Sequence, residues 1–283
     1  NTLRDATVTA SQLNTLNSNT YGDINASSVN TITGSISDVQ HLYSSTGIIG
    51  LGNEEITLSD TTVVSRQLNE LDNNISESIN ASSITTITGT VDDINSTYES
   101  NSITGLGNEA ITPSDSTVIA TELNTIDNKT SGDVNATLVT AIEGYIADIN
   151  TVYLSSGITG LDNKKIRISD TNISATLLNT LNAYTSENID TSAVQAITGS
   201  CSELKIAYTS YGIAGLGNKS IILTDSTGSA SDLKTLETVT TGTINASSIT
   251  TITGPIADIN YAYTSTRITG KGNEDVTISN TPT

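Results

Sequence analysis

The chain is strictly periodic. The string Gly50-Leu51-Gly52-Asn53 returns with its asparagine at Asn108, Asn163, Asn218 and Asn273, and the period does not drift. Other columns keep the same phase: Gly34, Gly89, Gly144, Gly199 and Gly254, and Tyr43, Tyr98, Tyr153, Tyr208 and Tyr263. A fixed period of this length is the mark of stacked supersecondary units, none of which can bury its apolar face alone. The repeats run over 1–56, 57–111, 112–166, 167–221 and 222–276, with a partial repeat at 277–283, so the whole of 1–283 reads as one solenoid domain.

Each repeat contains a weaker duplication. Val29 to Val39 aligns with Glu55 to Asn69, which divides the repeat into half-units of roughly 24 and 31 residues. Both halves read as a short strand, a turn, a second strand and a short helix. Asp38, Asp93, Asp148, Glu203 and Asp258 occupy the first helical turn, where an acid favours the exposed N–H groups and the dipole. The predicted fold is a parallel β-solenoid with a short helix per coil, the alternative being an α/β solenoid.

Composition agrees with a thin core. Phe, Trp and Met are absent, there is one Cys, and Ser, Thr and Asn dominate the polar residues. The apolar columns are β-branched: Ile32, Ile87, Ile142, Ile197 and Ile252; Ile48, Ile103, Ile158, Ile213 and Ile268; and Ile36, Val91, Ile146 and Ile256 with Cys201 in their midst. Their constant spacing predicts continuous stacked ladders and a structural role for Cys201. A net charge of −19 argues against nucleic acid and anionic membranes as partners, and no apolar run is long enough for a membrane helix.

Candidate chemistry is sparse. Polysaccharide-processing enzymes of β-solenoid architecture line one face with carboxylates, and such a site must break the repeat. Here most acids obey it, with Asp5, Asp60, Asp115, Asp170, Asp225 and finally Asn280 in one column. The reading is therefore non-catalytic, with turn-forming and helix-capping roles for the recurring acids. Calcium bound at the turns by Asp60, Asp115, Asp170 and Asp225 is the one cofactor alternative; no other cofactor is implied. His41 falls in a freely varying, solvent-facing column. The run Lys164-Lys165-Ile166-Arg167 reads as a solvated face or a local partner for acidic turns. Asn25, Asn80, Asn135 and Asn245, with Asp190 in the fourth repeat, mark a turn after a strand. An ice-matching threonine array is disfavoured, since Glu143 and Arg167 interrupt the Thr-Ile-Thr pattern.

The stretch Ile79-Asn80-Ala81-Ser82-Ser83-Ile84-Thr85-Thr86-Ile87-Thr88-Gly89, with Asp93-Ile94-Asn95 and Ile103-Thr104-Gly105-Leu106-Gly107-Asn108-Glu109, resembles the tandem Thr/Ser/Asn-rich arrays of very large secreted or cell-surface proteins of aquatic bacteria, cyanobacteria in particular. That resemblance covers the whole chain and implies an extracellular structural role without catalytic residues. Residues 1–8 and 276–283 occupy the same phase of the repeat. This places Leu3 and Asp5 at one edge and Val276 and Ile278 at the other as candidate self-assembly residues. The expected function is an extracellular or cell-surface structural protein that forms, or is excised from, a filament, sheath or adhesin shaft, with itself as partner. The alternative is an adhesin or fibre module that binds a surface glycan, matrix or partner protein, and a polysaccharide-processing enzyme ranks third.

Overall fold

A run such as Thr31-Ile32-Thr33-Gly34, one isoleucine between threonines, cannot hold a strand by itself and needs a paired edge. The computed structural model describes residues 2–279 and supplies that pairing throughout. Short strands pair in parallel, and short helices alternate with them along the described residues. The architecture is thus a repeated strand-and-helix module built on parallel sheets, as a repeat solenoid or an α/β fold requires.

Contacts gather the chain into two bodies. The first comprises the residues up to Val118 with Glu122–Val139 and Ser156–Gly160, and the second Ile119–Thr121, Thr140–Ser155 and the residues from Leu161 on. In the first body, Val8, Ile32, Ile56, Ile79 and Ile103 are neighbours in one five-stranded sheet, each 23 or 24 residues from the next. A second sheet in that body carries Val63, Ile87, Ile111, Val134 and Ile158, the counterparts of those five one full repeat on. In the second body the same rule gives Ile142, Ile166, Ile189 and Ile213 in one sheet, and Ile173, Ile197, Ile221, Ile244 and Ile268 in the next. A third sheet there joins Gly228, Ile252 and Val276.

This register corrects the predicted ladders. Ile32 and Ile87, members of one sequence column, lie in different sheets; Ile32 is paired instead with Val8 and Ile56. Stacking follows the half-unit step from Ile32 to Ile56, whereas the sequence column steps a full repeat from Ile32 to Ile87. The greater length of the second half-unit explains the difference, because it holds an additional strand. Ile24–Asn25, Thr31–Gly34 and the helix Ile36–Ser44 make the shorter module. Ile48–Ile49, Glu55–Leu58, Thr62–Val64 and the helix Ser65–Asn74 make the longer one, and Thr62–Val64 opens a new sheet.

Local chemistry sets the helix and turn positions. Ser35 and Thr90 accept the N–H of Asp38 and Asp93 at the helix starts, and Ser200 with Glu203 completes a reciprocal capping box. After the short strands, the side-chain oxygens of Asn25, Asn80, Asn135, Asp190 and Asn245 accept the N–H two positions on, at 2.8–3.1 Å. These are Asx turns, so the in-phase asparagines are structural at their own backbone. Helices face inward with residues such as Val39 and Leu42, which are fully buried.

Cys201 lies buried in its helix start, in line with Ile36, Val91 and Ile146, which are buried too; Ile256 of the same column is exposed. Burial, followed by the nearby Asp225 carboxylate, pushes its thiol up to about 12. The thiol stays neutral and unreactive at physiological pH. In the folded protein Cys201 is expected to resist a disulfide reagent at pH 8 and to label on denaturation. Its neutral form stabilises the fold fully below the ordinary thiol value of about 8.5, and that contribution disappears as pH climbs towards 12. Cys201→Val should lose less stability than the native chain between these limits, as measured by urea unfolding at each pH.

Candidate functional site

The aspartate column proves to join modules. The Oδ2 atoms of Asp60, Asp115, Asp170 and Asp225 accept the N–H groups of Ile36, Val91, Ile146 and Cys201 at 2.7–2.8 Å. Each acceptor lies one module after its donor in sequence, so a turn in one module caps the helix of the module before it. Recurring acids are expected to form turns and cap helices, and these half-buried carboxylates do cap helices, although the helix belongs to the neighbouring module. Asn280 lies outside the described residues. Among the described residues no group of three or more His, Cys, Asp or Glu side chains is placed to hold a metal ion. For calcium the column offers single carboxylates, each already engaged by a helix N–H.

A second inter-module contact runs along the helices. The Asn14 and Asn69 amides donate to the carbonyls of Asp38 and Asp93, and Asn179 donates to that of Glu203, at 2.8–2.9 Å. In the fifth repeat Lys234 stands where these asparagines do and bonds the Asp258 carboxylate at 2.8 Å instead.

The most polar buried feature has no place among the sequence-predicted sites. Glu54 and Glu109, at the end of the Gly-Leu-Gly-Asn string, are buried. Both carboxylate oxygens of Glu54 accept the Gly52 N–H, at 3.0 and 2.8 Å, and Tyr43 donates its hydroxyl at 2.9 Å. Glu109, Gly107 and Tyr98 repeat the arrangement, with the tyrosine at 2.7 Å. Gly52 and Gly107 have φ of 133° and 136°, a region open to glycine, which turns their N–H groups onto the carboxylate. Burial, then the paired carboxylate, raises the hydroxyl pKa of Tyr43; burial and the hydrogen bond to Glu109 do so for Tyr98. Both remain neutral donors. The usable signal in the sequence is the constant spacing between the Tyr column and the Glu column, from Tyr43 to Glu54 and from Tyr98 to Glu109.

The third and fourth repeats change the device. Lys164 and Lys219 replace the glutamates and are buried nonetheless, so the reading of Lys164 as part of a solvated face is corrected. With no carboxylate to receive it, the glycine N–H loses its role. Asp162 stands in place of the glycine and Asn163 takes φ 57°, while in the fourth repeat Lys219 N–H closes a turn on Leu216 O at 3.0 Å. Lys219 Nζ donates to Ser192 O at 3.2 Å. Arg167 is exposed and lies between Glu143, at 3.6 Å, and Asp190, at 3.9 Å, on adjoining strands. The expected local partnership with acidic side chains is present there, and exposed pairs of this kind contribute about 0–1 kcal/mol each.

The candidate assembly residues sit at module edges. In the first body the Leu3 N–H donates to Asn25 O at 2.9 Å, and Leu3, exposed Asp5, Val8, Leu13 and Leu16 line a groove of about 160 Å³. Leu16 is 40% exposed, whereas Leu71, Ile126, Leu181 and Leu236 of its column are buried. In the second body Val276 and Ile278 are 50% and 55% exposed, in columns where Ile221 and Leu223 are buried. His41 is exposed, as expected. No helix among the described residues is long and apolar enough to cross a membrane. In comparisons with known proteins, the chain matches no family model, no curated protein and no solved structure.

Two substitutions separate the devices. Asp170→Ala is expected to lower stability by about 1–2 kcal/mol through loss of the cap on Ile146, read as a shift in urea midpoint at constant slope. Glu109→Ala is expected to cost about 2–3 kcal/mol, because it strands a buried tyrosine hydroxyl, and Tyr98→Phe about 1–2 kcal/mol, because it removes a donor from a buried carboxylate. Hydrogen exchange at the Gly107 N–H should accelerate in Glu109→Ala and hardly change in Asp170→Ala.

Proposed function

We propose that this is a non-catalytic structural repeat protein of the extracellular space or cell surface, a solenoid segment that forms, or is part of, a surface filament, sheath or adhesin shaft. Its modules stack end to end, and the partner at each edge is another module of the same repeat. The observation that carries the reading is an uncovered apolar edge in each body: Leu16 in the first, and Ile256, Val276 and Ile278 in the second, are 40–59% exposed in columns that hold buried members in other repeats. An apolar column that is dry inside the stack and wet at its margin favours a further layer of the same shape.

The phase of the sequence supports it as well. The same apolar columns recur in every repeat, so each module offers its neighbour the same seam. The placement of the acids at helix caps and clamps assigns them to structure, which agrees with a chain that performs no catalysis. The likeness to secreted Thr/Ser/Asn-rich arrays supports the location.

Purified chains are expected to elongate with concentration in sedimentation velocity, with electron micrographs showing end-to-end contacts. The double variant Leu16→Lys, Ile278→Lys should raise the association midpoint by more than tenfold, because each lysine places a charge in the apolar seam. Single-chain particles at every concentration, with native and variant chains alike, would defeat the proposal.

A further inference from the structure

Beside the Tyr43–Glu54 clamp lies an open groove of about 470 Å³ between the helices Ile36–Ser44 and Ser65–Asn74. Tyr43 and buried Leu71 supply its apolar surface, and Gln40, Ser44, Glu70 and Asn74 its polar rim. The ring of Tyr43 is fixed before anything binds, since its hydroxyl is held at 2.9 Å by a buried carboxylate that is itself held by a backbone N–H. A rigid aromatic face bounded by amides, a hydroxyl and a carboxylate is a surface for a flat ligand with polar edges.

The surroundings of Tyr153 indicate what such a groove accepts. Tyr153 is the counterpart of Tyr43, and Tyr184 is the counterpart of Asn74. There the Tyr184 ring covers Tyr153, with centroids 5.6 Å apart and planes within 7°. The chain thus fills one groove with its own six-membered ring and leaves the equivalent groove at Tyr43 with Asn74 in place of that ring. We propose that the groove at Tyr43 binds one ring of a neutral hexopyranose, its apolar C–H face on Tyr43 and its hydroxyls on Gln40, Glu70 and Asn74.

The rim favours a sugar over an aromatic side chain. An aromatic ring would leave the edge groups around it without new partners, whereas pyranose hydroxyls both donate and accept. Glu70 on the rim is paired with Arg66 at 3.0 Å, and it is the net charge of −19 that selects against uronates and sulfated sugars. This site is independent of end-to-end stacking, because its residues lie on helices within the first body and not at an uncovered edge.

The test is an NMR titration of the whole chain, carrying ring-labelled tyrosine, with methyl β-glucopyranoside, methyl β-galactopyranoside and methyl α-mannopyranoside. Methyl glucuronide and p-cresol serve as the anionic and aromatic comparators. At least one neutral glycoside is expected to shift Tyr43 saturably, with a dissociation constant on the order of 1 mM, as befits a single ring. Asn74→Tyr, which copies the Tyr184 plug, should weaken binding more than tenfold with the melting temperature unchanged. The proposal is overturned if no neutral glycoside saturates Tyr43, or if Asn74→Tyr binds as the native chain does. It is equally overturned if p-cresol or the glucuronide binds more tightly than every neutral glycoside.

Discussion

Everything in this structure rests on backbone pairing between segments one module apart. A strand such as Ile79–Asn80 is a single dipeptide, and alone it has no means of staying extended. Its order comes from Ile56 on one side and Ile103 on the other, so a module is defined by its neighbours. This constraint explains the composition. A layer so thin admits one or two aliphatic residues per strand towards the core, such as Ile32 or the pair Ile166 and Ile168, and a ring the size of Phe or Trp would push adjoining layers apart. The outward positions need only be small and polar, and Thr, Ser and Asn fill them.

The repeat period, the two half-units, the helix starts and the burial of Cys201 were legible because each is a local signal that recurs from repeat to repeat. The sheets were not. Ile32, Ile87 and Ile142 form a conspicuous sequence column, and a column invites the inference that its members stack. Pairing instead joins Ile32 to Ile56, from the other half of the repeat. The extra segment that carries Thr62–Val64 looks like a longer turn in sequence, since a strand with one buried side chain has too short a pattern to announce itself. Glu54 escapes notice for a different reason. An acid after Gly-Leu-Gly-Asn reads as solvated, and only the glycine N–H and a tyrosine arriving from the preceding helix make its burial tolerable.

The exchange of Glu54 and Glu109 for Lys164 and Lys219 shows how a repeat absorbs variation. One buried position reverses its charge, and the turn beside it moves its left-handed residue by one place or closes as a different turn. The flanking strands keep their register, with Ile142 paired to Ile166 and Ile197 to Ile221. Variation is thereby confined to a short loop, and the sheet beneath is indifferent to it.

The aspartate caps give the stack a polarity. Asp60 belongs to the module that follows the helix it caps, and Asp115, Asp170 and Asp225 do likewise. If the module on the C-terminal side peels away, the preceding helix loses its cap together with its paired strand. If the module on the N-terminal side is lost, the next one gives up a hydrogen bond made by a carboxylate that water can solvate, and its own helix, such as Ser65–Asn74 with no side-chain cap at Val64, has no such cap to lose. Fraying, tension and proteolytic attack therefore meet unequal resistance from the two directions: at each of these junctions damage from the C-terminal side uncaps the helix ahead of it, and damage from the N-terminal side uncaps none.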